Sequence, residues 1–161
     1  MQYVKILTIL ISLSSTGYSQ DICEKNPIYC SILKINKRVD KEFAMEVSNY
    51  ISRYSKIYKT DPYITVAIMA QETMFRNIST EIDLGVYQLN IDTLQMYGKD
   101  PIKVVTDLEY ATETHIWLLS KKKTYCKETK YPWACYHSMT PKYYNKYVKA
   151  INKYYQIIKE N

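Results

Sequence analysis

Glycine is scarce in this chain. Of its three glycines, Gly17 lies in the leader described below and only Gly85 and Gly98 remain beyond it, which argues against long flexible joints between domains. No internal repeat and no low-complexity linker appears, so a solenoid or multi-domain array is excluded and one compact unit is expected. The only long apolar run, Ile6 to Leu13, is too short to span a bilayer comfortably. There is no Cys-x-x-Cys pair, and neither His115 nor His137 completes a usual ligand spacing. A zinc site is therefore not expected.

What is present reads as an exported globular domain. Lys5, the apolar run and the small and polar residues up to Gly17-Tyr18-Ser19 have the form of a secretory signal peptide, giving a leader over 1–19 and one domain over 20–161. The length and the 47% hydrophobic content are enough to bury a core. Four cysteines remain, Cys23, Cys30, Cys126 and Cys135, an even number in a chain bound for an oxidising compartment. Two disulfides are expected. Three pairings are possible, and the short separations favour Cys23 with Cys30 and Cys126 with Cys135. The formal charge of +6 falls to +5 once Lys5 goes with the leader, leaving 21 basic residues against 16 acidic. That excess suits a polyanionic partner, and export disfavours nucleic acid.

The periodicity is mostly helical. Val39, Phe43, Val47, Tyr50, Ile51, Tyr54 and Ile57 recur three or four apart and form one helical stripe over 39–58. Asp61-Pro62 supplies an N-cap acceptor followed by proline at the first helical position, opening a second helix that runs to about Thr73. Val66 to Ala70 leave it apolar nearly all round, so it should be the central buried helix, with Glu72 in its last turn. Residues 78–89 lack a helical period, and Gly85 with alternating Ile82, Leu84 and Val86 suggests a loop or a short β ribbon. Asn90 can cap a brief helix ending at Gly98. Thr106-Asp107-Leu108-Glu109 has the capping-box pattern, opening a helix with the stripe Leu108, Ala111, His115, Leu118 and Leu119 that ends at Lys121-Lys122-Lys123. His115 on that stripe reads as a core histidine. Thr140-Pro141 starts a last helix with Tyr144, Tyr147, Val148, Ile151, Tyr155 and Ile158 on one face, tyrosines read as packing with a wet edge. The fold class expected is mainly α, with a small β ribbon.

One carboxylate stands out. Glu72 sits in Ala67-Ile68-Met69-Ala70-Gln71-Glu72-Thr73-Met74-Phe75, among residues that otherwise read as core. Cleaving a glycosidic bond requires protonating a poor leaving oxygen, which a carboxyl manages near neutral pH only when burial raises its pKa. The end of an apolar helix supplies such burial. Most glycosidases use two carboxylates, but substrate-assisted enzymes replace the second with a group on the sugar.

Three segments, Gln71-Glu72, then Asp83-Leu84-Gly85-Val86-Tyr87-Gln88-Leu89-Asn90, then Trp133-Ala134-Cys135-Tyr136-His137-Ser138-Met139-Thr140-Pro141, together resemble the lytic transglycosylase catalytic domain of the goose-type lysozyme-like superfamily. The resemblance covers roughly Asp61 to Tyr155. Its Tyr136 to Pro141 run is most similar to small single-domain enzymes that accompany secretion systems, conjugation machinery and pili. It implies a lysozyme-like fold and a periplasmic or extracellular monomer acting on peptidoglycan glycan strands, without metal or cofactor. Glu72 would be the catalytic acid and then the base, and Tyr136 would orient it through a phenol hydrogen bond. Gln88, Gly85, Tyr87, Thr73 and His137 would line the substrate site. Thr73 stands where serine is usual, Tyr87 where methionine is usual, and Cys135 where a small residue precedes the tyrosine; a Cys126–Cys135 bridge would lock the Tyr136 segment. Two other readings keep the same residues: a hydrolytic lysozyme with a water held by Asp83, and a non-catalytic peptidoglycan-binding or assembly factor.

Overall fold

The structure, a computed structural model, describes residues 21–160, so the expected leader over 1–19 lies outside the described residues. It is 70% helix against 3% strand, so helix-on-helix packing builds the core. Residues 21–25 are helical. Then follow α1 (Pro27–Ile35), α2 (Lys41–Tyr58) and α3 (Pro62–Thr73), the two-residue strands β1 (Asp83–Leu84) and β2 (Leu89–Asn90), and α4 (Ile91–Met96), α5 (Pro101–Thr106) and α6 (Leu108–Tyr125). A 3-10 turn (Pro132–Tyr136) leads into α7 (Pro141–Lys159). No described helix is long and apolar enough to cross a membrane.

The caps explain where the helices begin. Asp40 Oδ1 accepts from Phe43 N at the head of α2, and Asp61 Oδ1 from Tyr63 N at the head of α3, with Pro62 at the position where a missing N–H costs nothing. Asn90 caps α4 as expected, through Thr93 N. The expected capping box at Thr106 does not form. Thr106 closes α5, and Asp107 is the cap of α6, its Oδ1 accepting from Tyr110 N. Glu109 turns outward to pair with Arg53 and accept from the Tyr54 hydroxyl, so α6 is tied to α2. The short helices α1 and α5 each start at a proline, Pro27 and Pro101, behind an asparagine or aspartate cap, signals that sequence reading passed over.

The central helix is buried on both sides. Val66, Met69 and Ala70 of α3 pack into one cluster with Ile32, Ala44, Val47, Ile51, Leu89 and Leu94, while Ile64, Ala67 and Ile68 pack into a second with Leu119, Ala134, Tyr147 and Ile151. This double burial is why α3 carries no polar face. Fully burying each of the larger side chains, Ile64, Val66, Ile68 and Met69, is worth about 1.5–3 kcal/mol, so α3 contributes heavily to stability.

Both disulfides form as the spacing favours: Cys23–Cys30 ties the first helical turn to α1, and Cys126–Cys135 ties the end of α6 to the 3-10 turn. His115 is fully buried, as its place on the stripe predicts.

Candidate active site

Glu72 lies one residue from the end of α3, half-buried. The helix ends abruptly because Met74 and Phe75 both take left-handed backbone, with φ of 52° and 69°. That conformation costs a residue with a side chain roughly 1 kcal/mol or more. It is held here by the Met74 N to Ala70 O bond and by burial of Phe75. The chain therefore leaves sideways and comes back as the β1–β2 hairpin, which faces the acid.

The hairpin is braced from within. Asp83 pairs with Asn90 and Leu84 with Leu89 in antiparallel register. Gln88 takes φ of 48°, and its amide Nε2 donates to Ile78 O at 2.8 Å and Gly85 O at 2.9 Å. Both partners are carbonyls, so the amide nitrogen must be the end that faces them, and the amide oxygen remains an acceptor. Asn90 Nδ2 donates to Asp83 Oδ1 at 3.3 Å, fixing the Asp83 side chain.

Glu72, Asp83, Gln88, Leu89, Asn90, Thr93, Leu118, Lys122, Tyr136 and His137 line one cavity of about 360 Å³. Three of the residues singled out from sequence are thus brought beside Glu72: Gln88, Tyr136 and His137. Asp83, weighed as a second acid, joins them.

The tyrosine that holds Glu72 is a different one from that expected. Tyr147 of α7 donates its hydroxyl to Glu72 Oε1 at 2.9 Å. Tyr136 instead has its hydroxyl 3.1 Å from His115 Nδ1 and donates to the Tyr87 carbonyl at 3.5 Å. Its role as a direct hydrogen-bond partner of Glu72 is therefore corrected, although it remains in the cavity wall. Tyr147 is only 5% exposed, with His137 stacked on its ring at 4.4 Å and 10° and Trp133 tilted against it at 6.4 Å. Nothing in sequence distinguishes Tyr147 from the other tyrosines on its helix face.

Three other expected substrate contacts point elsewhere. Tyr87 is fully buried, stacked on His115 at 4.3 Å with its hydroxyl on Thr112 Oγ1 at 3.2 Å, so it fills core and does not re-line the cleft. Thr73, also buried, donates to Val86 O at 2.9 Å and fastens the hairpin to the end of α3. Gly85 takes φ of 69°, and a Cβ there would stand 2.9 Å from Val104 O, so its close approach is to α5 and not to a ligand. These residues hold the wall of the cavity from behind.

The electrostatics favour a protonated acid. Burial pushes the Glu72 carboxyl above the ordinary carboxylate range, the Tyr147 hydrogen bond opposes that shift, and the negative charge of Asp83 adds to it. The Tyr136 and Tyr147 hydroxyls are held well above their ordinary pKa by burial and by the charge of Glu72, so both stay protonated and Tyr147 acts as a donor. His115 is pushed down to about 3 by burial and is neutral. With Tyr136 O–H aimed at a carbonyl, the consistent arrangement has His115 Nδ1–H donating to the Tyr136 oxygen, which leaves Nε2 unpaired.

A carboxyl kept protonated above its usual range, aimed by a phenol and set in a polar-walled cleft, can donate a proton to a bound leaving group and accept one back. Among the described residues, no group of three or more His, Cys, Asp or Glu side chains is placed to hold a metal ion. Comparison of the chain with protein-family models, with curated proteins and with solved structures finds no match.

Proposed function

We propose that this protein is a peptidoglycan lytic transglycosylase of lysozyme-like fold, exported to act on the cell wall. The observation that carries the reading is Glu72 itself, a carboxyl at the end of a buried helix, raised by desolvation and held by Tyr147 in a cavity faced by the β1–β2 hairpin. The two disulfides are compatible with export. In this reading Glu72 protonates the oxygen linking N-acetylmuramic acid to N-acetylglucosamine, and the C1–O4 bond breaks as the sugar's own acetamido group stabilises the positive centre. The resulting Glu72 carboxylate takes the proton of the muramoyl C6 hydroxyl as that oxygen bonds to C1. The acid is restored, no water is consumed, and a 1,6-anhydromuramoyl end remains. Local opening of the wall for an envelope-spanning secretion, conjugation or pilus machine is the role this activity suits.

Asp83 supports a second reading. It lines the same cavity as Glu72, and in this reading it holds a water that attacks in place of the C6 hydroxyl, which would make the protein a hydrolytic lysozyme. Digestion of purified sacculi separates the readings by mass: anhydro ends are one water lighter than reducing ends. Anhydro products support the transglycosylase and reducing ends the lysozyme. Binding to sacculi without release would make the protein a non-catalytic wall-binding factor.

A further inference from the structure

A second and larger cavity, about 660 Å³, opens around Trp117 and has no carboxylate in its wall. Its lining includes Tyr58, Lys59, Lys121, Lys123, Lys127 and Pro132. Lys59, Lys121 and Lys123 have no acidic side chain within 4.0 Å among the described residues, and Lys127 pairs only loosely with Glu128, at 3.9 Å and in full exposure. The Trp117 ring is flanked by two ammonium groups, Lys121 at 5.6 Å and Lys99 at 4.6 Å from its centroid. Glu113 accepts a hydrogen bond from the hydroxyl of Tyr58, a lining residue, and does not itself line the cavity.

Lysines near the end of α6 complement its negative C-terminal dipole, which accounts for Lys121 and Lys123. Lys59 caps the C-terminal end of α2 and is complemented by that helix's dipole in the same way, but the dipoles do not explain why both helix ends, with Lys127 just beyond α6, bring their cations to one cavity. Four cations gathered from three parts of the chain repel one another when nothing lies between them. We infer that this cavity is a docking site for an acidic peptide segment of a partner protein, one that carries apolar side chains among its carboxylates.

The mixed lining favours an occupant with both charge and apolar surface over a purely charged one. Trp117, Pro132 and the Tyr58 ring offer apolar surface in the midst of the ammonium groups. A polyphosphate presents no apolar surface to cover it. An acidic peptide with leucine or phenylalanine between its glutamates matches both features, ring against side chain and ammonium against carboxylate. The cavity is separate from the Glu72 cleft. Leu118 and Lys122 line the cleft while Trp117 and Lys121 line the second cavity, one residue apart and so roughly 100° round the same helix. The inference stands independently of the reaction proposed for Glu72.

The test uses the whole exported domain and a fluorescein-labelled peptide of alternating glutamate and leucine, with all-glutamate peptide and inorganic polyphosphate as comparators. The expected result is saturable binding of the mixed peptide, seen by anisotropy and by a change in Trp117 fluorescence in a Trp133→Phe background. That binding should weaken with added salt and fall about tenfold or more in the Lys121→Glu/Lys123→Glu variant. Release of muropeptides should be unaltered in that variant, since neither residue lines the cleft. Absence of binding at millimolar peptide, polyphosphate or all-glutamate bound as tightly as the mixed peptide, or unchanged affinity in the folded double variant, would each overturn the inference. Circular dichroism of the variant establishes that it is folded.

Discussion

The hydroxyl of Tyr147 reaches across 75 positions of sequence to donate to Glu72 Oε1 at 2.9 Å, joining α7 to the end of α3. This bond stabilises the ionised carboxylate, whereas burial and Asp83 destabilise it. Removing the phenol oxygen in Tyr147→Phe should therefore raise the Glu72 pKa further. Muropeptide release at neutral pH should fall about 10²-fold, because the acid loses its aim. The alkaline limb of the pH profile should also move upward, a shift that a merely packing role would not produce. Tyr136→Phe, which leaves the Glu72 bond intact, should show a smaller loss and no such shift. Equal effects from both variants would place the orienting function back on Tyr136.

Glu72→Gln should abolish release while leaving the fold intact, and its stability should depend on pH in a particular direction. The folded-state pKa of Glu72 lies above its unfolded value, so ionisation is disfavoured in the folded protein. The wild type is then at its full stability below the unfolded pKa and loses stability as pH rises through the folded one. Denaturant unfolding of wild type and Glu72→Gln should diverge with rising pH, the variant becoming the more stable, and converge in acid. A variant less stable at pH 8 than at pH 4, relative to wild type, would contradict the desolvation account.

The two disulfides should differ in what they protect. Each closes a short loop, with sequence separations of 7 and 9, so loss of either should cost about 2–3 kcal/mol by the loop-entropy model. Only Cys126–Cys135 holds the turn that carries Tyr136 and leads to His137, which stacks on Tyr147. Cys126→Ser/Cys135→Ser should lower muropeptide release by more than its stability loss explains, whereas Cys23→Ser/Cys30→Ser should leave release per folded molecule unchanged. Assays well below the midpoint of each thermal unfolding curve make the comparison.

Gly85 and Gly98 share left-handed backbone, with φ of 69° and 64°, but differ in surroundings. A Cβ at Gly98 meets nothing within 4 Å, so Gly98→Ala should cost only the backbone penalty of about 1 kcal/mol. At Gly85 the same Cβ would press on Val104 O at 2.9 Å, and the hairpin or α5 must shift. Gly85→Ala should lower the thermal midpoint clearly more than Gly98→Ala does.

Much of the fold was legible because caps and apolar periodicity are local signals. Asp61-Pro62, Asn90 and Thr140-Pro141 mark their helix starts from neighbouring residues alone. The capping box at Thr106 failed for an equally local reason: Asp107 competes for the same orphan N–H groups and is the better acceptor there. The site was less legible. Thr73, Gly85 and Tyr87 were expected to face substrate, but which way a residue in an irregular loop points is set by what packs behind it, here Val86, Val104 and His115. Tyr147 was hidden because its packing neighbours on α7 are also tyrosines, and only the crossing of α7 with α3 brings one of them to Glu72.

The distance in sequence between Glu72 and the groups that aim it also sets an order in time. A chain made N-terminus first presents its acid long before Tyr136, the Cys126–Cys135 bridge and Tyr147 follow. Until α7 docks, the Glu72 carboxyl lacks the Tyr147 hydroxyl that holds it. The geometry around Glu72 is thereby incomplete through most of the chain's synthesis, and is finished only as its last helix folds.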